Sequence, residues 1–286
     1  MDRLREPAPL LRMIGAMPEP ARETYSHGHA ESVLRSHRWR TAANSAAYLI
    51  PHLRPGLDLL DVGCGPATVT ADLARLVAPG RVTAVDSAPD AVTLAERQLG
   101  SQGLTGVEIR VANAYRLPFP DAAYDVVHAH QVLQHLGDPV AALAEWRRVV
   151  RPGGVVAARD SDYAGMTWWP QLPGLDDWMA LYQQLTRHNG GEPDAGRRLL
   201  SWARAAGFSE VEPSASVWCF ATAEDRRWWG GLWAERARHS AYAEQSLALG
   251  MTDQPRLDRI AAAWQDWASA PDGWFVIVHG EVLAHP

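Results

Sequence analysis

The sequence predicts an α/β fold, a largely parallel sheet with helices on both faces, and three observations predict it. Residues 57–74, LDLLDVGCGPATVTADLA, run apolar to Asp61, pass a Gly63-Cys64-Gly65 turn, and resume at helical spacing through Val69, Leu73 and Leu76. This reads as a buried strand, a tight loop and a helix. A second apolar strand, 81–85, ends in Asp86, 21 residues past Gly65. Beyond it, strand-like and helix-like segments keep alternating to residue 159.

That spacing suits a nucleoside held across two adjacent parallel strands. Glycines let the backbone approach the ligand, and a carboxylate binds ribose hydroxyls. Nicotinamide and flavin dinucleotides need G-x-G-x-x-G, so that a helix start faces their pyrophosphate. Here Thr68 holds the third glycine position and the fingerprint fails.

Composition narrows the function further. A chain of 286 residues, 47% hydrophobic, is one large globular domain or one and a half. No run of 18 apolar residues occurs, and the apolar patch in the opening MDRLREPAPLLRM is too short to span or target, so the cytoplasm is the expected location. The net charge of −6 disfavours a nucleic-acid substrate, and the arginine groups at 35–40 and 147–151 read as solvated helix faces. The two cysteines, Cys64 and Cys219, lack CxxC or Cys/His ligand spacing, so neither a disulfide scaffold nor a metal site is expected. Every Lys+Arg residue is arginine. A Tyr-x-x-x-Lys proton relay and Schiff-base chemistry are therefore excluded.

In chain order, residues 1–24 form a proline-broken arm, and an alanine-rich helix then ends near Pro51. After the Asp86 strand, a helix over 88–99 ends in Gly100 and Gly103. A third strand, 107–111, leads to Ala112-Asn113-Ala114, and 124–129 is the fourth, opening at His130 and Gln131 into the crevice. A helix over 139–150, a turn at 151–154 and a fifth strand over 155–159 bring up Asp160, Asp162 and Tyr163. Residues 165–202 read as mostly helical, 211–220 as a sixth strand, 222–270 as helical, and 274–284 as the seventh strand.

The core LLDVGCG, with its D-x-G-x-G pattern, resembles motif I of class I S-adenosylmethionine-dependent methyltransferases. Their ligand has no pyrophosphate, so the helix-start requirement relaxes. Ala67 stands where the family often has a third glycine. A second resemblance lies in LPFPDAAYDVVHAHQVLQHL, where Leu117, Pro118, Phe119, Asp121, Tyr124, Asp125, Val127, Val132, Leu133, His135 and Leu136 fit the UbiE-like branch, named for ubiquinone and menaquinone biosynthesis methyltransferases. Arg151-Pro152-Gly153-Gly154 before a strand is typical of the same branch.

The resemblance implies a seven-stranded Rossmann-like sheet, six strands parallel and the seventh antiparallel, under a helical cap. It divides the chain into an arm and lid helix (1–45), a cofactor-binding core (46–163), and cap insertions with the last two strands (164–286). It implies that S-adenosylmethionine binds at Asp61, Gly63 and Gly65 on the methionine and ribose side, that Asp86 holds the ribose hydroxyls, and that Ser87 is also a cofactor-binding residue. Asn113 and Ala114 would meet the adenine, and His130 or Gln131 the adjoining backbone. Family members often have aspartate at the position of Asn113; the amide oxygen can still accept a hydrogen bond. The lid draws attention to Tyr25, His27, His29, His37, Trp39 and Arg40.

The implied reaction is methyl transfer to a hydrophobic small molecule, with S-adenosylhomocysteine as product. Where the acceptor needs a base, His130, His135, Tyr25 and Asp160 are the candidates. Eleven of the 13 tryptophans lie at 168–274, and with Tyr163 the rings of Trp168, Trp169, Trp229 and Trp233 are the candidate walls of a pocket for a flat, aromatic or prenylated acceptor of specialised metabolism. A core, cap or dimer interface would use the same rings. Two alternatives stand beside this reading: a quinone-pathway C-methyltransferase, and a non-methylating binder or cyclase on the same fold. No stable membrane insertion is expected, and the proline-rich arm is of a kind that could exchange between subunits.

Overall fold

The structure, a computed structural model, describes residues 31–286. In chain order the elements are α1 (Glu31–Arg38), α2 (Ala42–Ser45), β1 (Leu59–Val62), α3 (Thr68–Val77), β2 (Val82–Asp86), α4 (Pro89–Ser101), β3 (Val107–Val111), β4 (Tyr124–His130) and α5 (Pro139–Val149). There follow β5 (Val150–Trp169), α6 (Pro173–His188), α7 (Leu199–Ala205), β6 (Glu210–Phe220), α8 (Ala223–His239), α9 (Ala241–Ala248), α10 (Gln254–Ser269) and β7 (Trp274–His285).

The seven strands form one sheet in the order β3-β2-β1-β4-β5-β7-β6. All adjacent pairs from β3 to β5 are parallel, while β7 runs antiparallel between β5 and β6, so six strands share one direction. Strands covered on both faces read as unbroken apolar runs. Leu59, Val126, Val155 and Ala157 pack on one side with Leu49, Leu73 and Val77, whereas Leu60, Val127, Val156 and Ala158 pack on the other with Leu143, Trp146 and Leu199. The order reverses at β1, whose neighbours β2 and β4 are reached in opposite directions. A crevice for a ligand opens at the carboxyl ends of the strands there.

Helix starts follow local chemistry. Asp138 accepts from the Ala141 N–H ahead of α5 (2.9 Å), Asp253 from Arg256 ahead of α10 (2.8 Å), and Thr222 with Asp225 closes a reciprocal capping box on α8.

The fifth strand corrects the expectation from sequence. It runs on past residue 159 to Trp169, across a register shift between Asp162 and Thr167, and pairs Thr167, Trp168 and Trp169 with Val276, Phe275 and Trp274. Residues 165–169 are therefore extended rather than helical. The cause is long-range: the apolar first half of β7 needs a partner on this side, and Thr-Trp-Trp suits a pleated surface. Helix begins only at Pro173.

Beyond the register shift, β7 crosses the short helical turn 196–198 at a point where Gly280 and Gly196 meet backbone to backbone. A β-carbon on Gly280 would lie 2.0 Å from the Gly196 carbonyl oxygen. Backbone cannot yield as a side chain can. Gly280→Ala is expected to destabilise the protein by about 3 kcal/mol or more, seen as a melting temperature lower by roughly 6–12 °C. An unchanged melt would show that this approach is not needed.

Candidate functional site

At the carboxyl ends of β1, β2 and β4 lies a cavity of about 500 Å³, roofed by α1 and the residues after it. It has two ends of different chemistry.

The first end is built by the loop after β1. Gly63 and Cys64 donate backbone hydrogen bonds to Val85 (2.8 and 3.0 Å), tying the loop to β2. Gly63 sits at φ 71°, and a β-carbon there would fall 2.4 Å from Val132 Cγ2, so glycine is required on both counts. Ala67 adopts the left-handed conformation (φ 58°) just before α3, which glycine would take freely and alanine takes at a cost of about 1 kcal/mol. The Asp86 carboxylate accepts from Gly65 N–H and Ala88 N–H, both at 3.0 Å, and so joins the loops after β1 and β2. Asn113 Oδ1 already accepts from Tyr115 N–H (2.8 Å), which holds its side chain in a local turn and leaves one lone pair for a ligand. Asp61, Gly63, Gly65, Asp86, Ser87, Asn113, Ala114, His130 and Gln131, the residues anticipated for a nucleoside ligand, all line this one cavity. The Thr68 hydroxyl donates to the His37 carbonyl (3.0 Å), so the backbone of α1 lies against the start of α3, where a dinucleotide would place its pyrophosphate.

Asp61 is buried, with Thr70 Oγ1 at 2.5 Å and His128 Nδ1 at 2.7 Å on its two oxygens. His128 was not singled out from sequence. The signal was there: β1 and β4 are parallel neighbours, Asp61 and His128 stand in register, and each is a polar residue inside an apolar strand.

The second end is aromatic. Trp39, Tyr163, Trp178, Trp218, Trp229 and Trp233 line it, with Met166 and Ile277. Tyr163 is backed by Tyr182, stacked at 4.0 Å, and Trp229 by Phe220, at 4.6 Å. Of the candidate wall residues, Tyr163, Trp229 and Trp233 reach the cavity. Two do not. Trp168 is buried against Phe275 (ring centroids 5.7 Å apart) away from the cavity, and Trp169 is 54% exposed, its indole N–H donating to Asp272 at 2.9 Å. Both follow from the extension of β5: consecutive residues on a strand point to opposite faces, and neither face here fronts the site.

The candidate bases separate in the same way. Tyr25, with His27 and His29, lies outside the described residues. Asp160 is fully buried and absent from the cavity wall; it accepts from Gln134 N–H (3.1 Å) and props the loop after β4. Burial pushes its carboxyl up to about 7. His135 lines the cavity beside Gln134 Nε2 (3.0 Å), and burial, reinforced by Arg40, pushes it down to about 3. His130 lines the cavity at the end of β4, with both ring nitrogens buried and without hydrogen-bond partners among the described residues. Burial, then Arg40 and Arg159, hold it well below the ordinary histidine range.

Gln131, next along, takes φ 55°. Its amide oxygen accepts from Arg40 Nη2 (2.6 Å), and its amide nitrogen donates to Ser161 Oγ (2.7 Å) and faces His279 Nε2 (3.0 Å). Arg40, just after α1, is thus tied to the end of β4. Along α1 and the residues after it, Arg236 donates to the Ser32 carbonyl (2.8 Å) and Ser36 Oγ (2.7 Å), Arg35 pairs with Glu235, and Trp39 meets Trp218 edge-on at 5.1 Å.

Residues 60–158 match the family model described as a methyltransferase domain. An uncharacterized methyltransferase of Schizosaccharomyces pombe is 34% identical over 267 residues, covering 91% of this chain and 95% of the relative. The demethylmenaquinone methyltransferase of Geobacillus stearothermophilus is 32% identical over 174 residues, 56% of this chain and 74% of the relative. Among solved structures, a putative methyltransferase from Bacillus halodurans superposes with a TM-score of 0.54 at 19% identity, covering 84% of this chain and 97% of that one.

Proposed function

Because the chain belongs to the S-adenosylmethionine-dependent methyltransferase family, we propose that it transfers the methyl group of S-adenosylmethionine to a flat, hydrophobic small molecule held among the tryptophans. The observation that carries this reading is the single cavity with a glycine-and-carboxylate end and an aromatic end. Such a cavity fits a nucleoside donor and an apolar acceptor side by side.

The donor would be held by the Gly63–Gly65 backbone and the Asp86 carboxylate, with Asn113 and Ala114 at its base and the Asp61–His128 pair beneath its sulfur-bearing side chain. It brings an electrophilic methyl carbon, already activated as a sulfonium. The protein's work is therefore alignment and exclusion of water. Arg40 does the second part by latching the lid to Gln131, and the aromatic wall does the first by restricting a planar acceptor to a few poses.

The likeness to the demethylmenaquinone enzyme favours a second reading, in which the acceptor is a quinone ring with an apolar tail. No helix among the described residues is long and apolar enough to cross a membrane. A non-methylating role would bind the donor without turnover.

Calorimetric titration tests the donor site. S-adenosylhomocysteine is expected to bind with micromolar affinity and NADPH not to bind. Binding of NADPH alone would discard the methyl-transfer reading. Binding without any S-adenosylhomocysteine formed from S-adenosylmethionine across flat acceptors would favour the non-methylating role.

A further inference from the structure

The glycine-and-carboxylate end of the cavity carries a narrower statement, which rests on the methyl-transfer reading. We propose that His128 is a positioning residue: it holds the Asp61 carboxylate against the cationic side chain of S-adenosylmethionine without cancelling its charge. The site thereby favours the donor over the product, which has lost the sulfonium charge.

Place is the first observation. Asp61 and His128 are partners in the parallel register of β1 and β4, and one step earlier on the same face the partners are Leu59 and Val126, both in the core. The polar pair replaces apolar core where the two strands reach the cavity, and both side chains line it. His128 Nδ1 stands 2.7 Å from one carboxylate oxygen, and Thr70 Oγ1, in the first turn of α3, stands 2.5 Å from the other. A carboxylate only accepts, so Nδ1 carries the hydrogen, and of the carboxylate's roughly four lone-pair sites these two bonds take two.

The second observation is charge. Four other acidic side chains among the described residues are buried: Asp160, Asp162, Asp194 and Glu281. Three of them pair with an arginine, Asp162 with Arg197, Asp194 with Arg187 and Glu281 with Arg159. Asp160 accepts from backbone N–H groups, and burial pushes its carboxyl up to about 7. Asp61 differs from all four. It lines the cavity, and its partners among the described residues are a hydroxyl and an imidazole. An arginine would always be charged and would neutralise the carboxylate, whereas an imidazole can grip it while uncharged. The cation is left for the ligand to bring. S-adenosylmethionine brings two, its ammonium and its sulfonium, and the product retains only the ammonium.

Two plainer roles fit less well. Stability does not account for the trio, because apolar residues of similar size commonly serve a buried site as well. Bracing of the glycine loop falls to Thr70, which follows the loop and reaches back to Asp61, which precedes it. His128 grips the other oxygen from β4, outside the loop, so its removal frees the carboxylate and leaves that brace in place.

The test is calorimetric and needs no methyl acceptor. Wild-type protein, His128→Leu, His128→Asn and His128→Gln are titrated with S-adenosylmethionine, S-adenosylhomocysteine and 5′-methylthioadenosine, which keeps the nucleoside but has neither the sulfonium nor the amino-acid end. In His128→Leu the affinity for S-adenosylmethionine should fall about 10-fold or more, that for S-adenosylhomocysteine about 3-fold, and that for methylthioadenosine less than about 2-fold. Asparagine places an amide N–H where Nδ1 stands, and should restore S-adenosylmethionine to within about 3-fold of wild type. Glutamine places its amide one atom further out, and should bind the donor as weakly as leucine does.

An equal fall for S-adenosylmethionine and its product would overturn the proposal, and so would an unchanged affinity for the donor in His128→Leu. An equal fall for all three ligands would make His128 a brace of the glycine loop instead. Should the leucine variant not fold, the other two decide, and equal donor affinities in His128→Asn and His128→Gln would overturn it. Wild-type protein that binds none of the three would sink the methyl-transfer reading beneath it.

Discussion

Asp86→Ala is expected to weaken S-adenosylhomocysteine binding about 100-fold, with the protein still folded. A carboxylate accepting from two ribose hydroxyls makes charge-assisted hydrogen bonds worth about 1.5–3 kcal/mol each. Losing a total of about 3 kcal/mol corresponds to roughly two decades in the dissociation constant. The same carboxylate also accepts from Gly65 and Ala88 N–H (3.0 Å each), so its removal loosens both loops that meet the ligand. That second loss falls on partly buried backbone that water can still reach, which limits the change in stability to about 1–3 kcal/mol. Asp86→Asn keeps one acceptor oxygen and should fall between wild type and alanine. Paired calorimetric titrations and thermal melts separate the two effects. If Asp86→Ala binds S-adenosylhomocysteine as wild type does, the nucleoside is held elsewhere.

The glycine-and-carboxylate end of the cavity was legible in the sequence because its information is local. A strand, two glycines and a second strand tipped by an acid are contiguous in the chain, and backbone geometry follows from them: Gly63 at φ 71° and Asp86 at the end of β2 stand where the pattern put them. The aromatic end was less legible. Tryptophan spacing announces that rings are buried, but not which of two surfaces of a strand or helix they cover. Trp168 and Trp169 lie off the cavity because their strand is dictated by β7, more than 100 residues later, and not by neighbours in sequence. His128 is hidden in the sequence for the same reason: its partner Asp61 is 67 residues away and becomes adjacent only through parallel register. The sequence puts Asp160 at the end of its strand, whereas β5 runs on to Trp169 and the Asp160 side chain points under the loop at Gln134 rather than into the cavity. Sequence pattern fixes the face of a residue only when one face of its strand is exposed, and β5 is covered on both.

Trp178→Ala is expected to have the largest effect on stability of any single tryptophan change, because this ring is at once core and cavity wall. It is wholly buried and packs on Tyr163, Trp168, Tyr182, Trp233, Trp264 and Phe275, with edge-on contacts of 4.7 Å to Trp233 and 4.9 Å to Trp264. Truncating so large a side chain leaves a void its neighbours cannot fill, for a loss of about 3–5 kcal/mol and a melting temperature lower by roughly 6–20 °C. Trp169→Ala is the contrast. That ring is 54% exposed and holds one surface hydrogen bond, so its loss should stay within about 1 kcal/mol. The difference between the two also bears on the proposed function, since Trp178 packs behind the aromatic wall of the cavity and Trp169 does not. Below its melting temperature, Trp178→Ala should bind S-adenosylhomocysteine with wild-type affinity and bind the flat probe 7-hydroxycoumarin at least 10-fold more weakly, because the void lies on the aromatic side and the glycine loop does not touch it. Equal loss of both ligands from folded protein would mean that the cavity responds as one unit, and that the tryptophans act through the core rather than by contact with the acceptor.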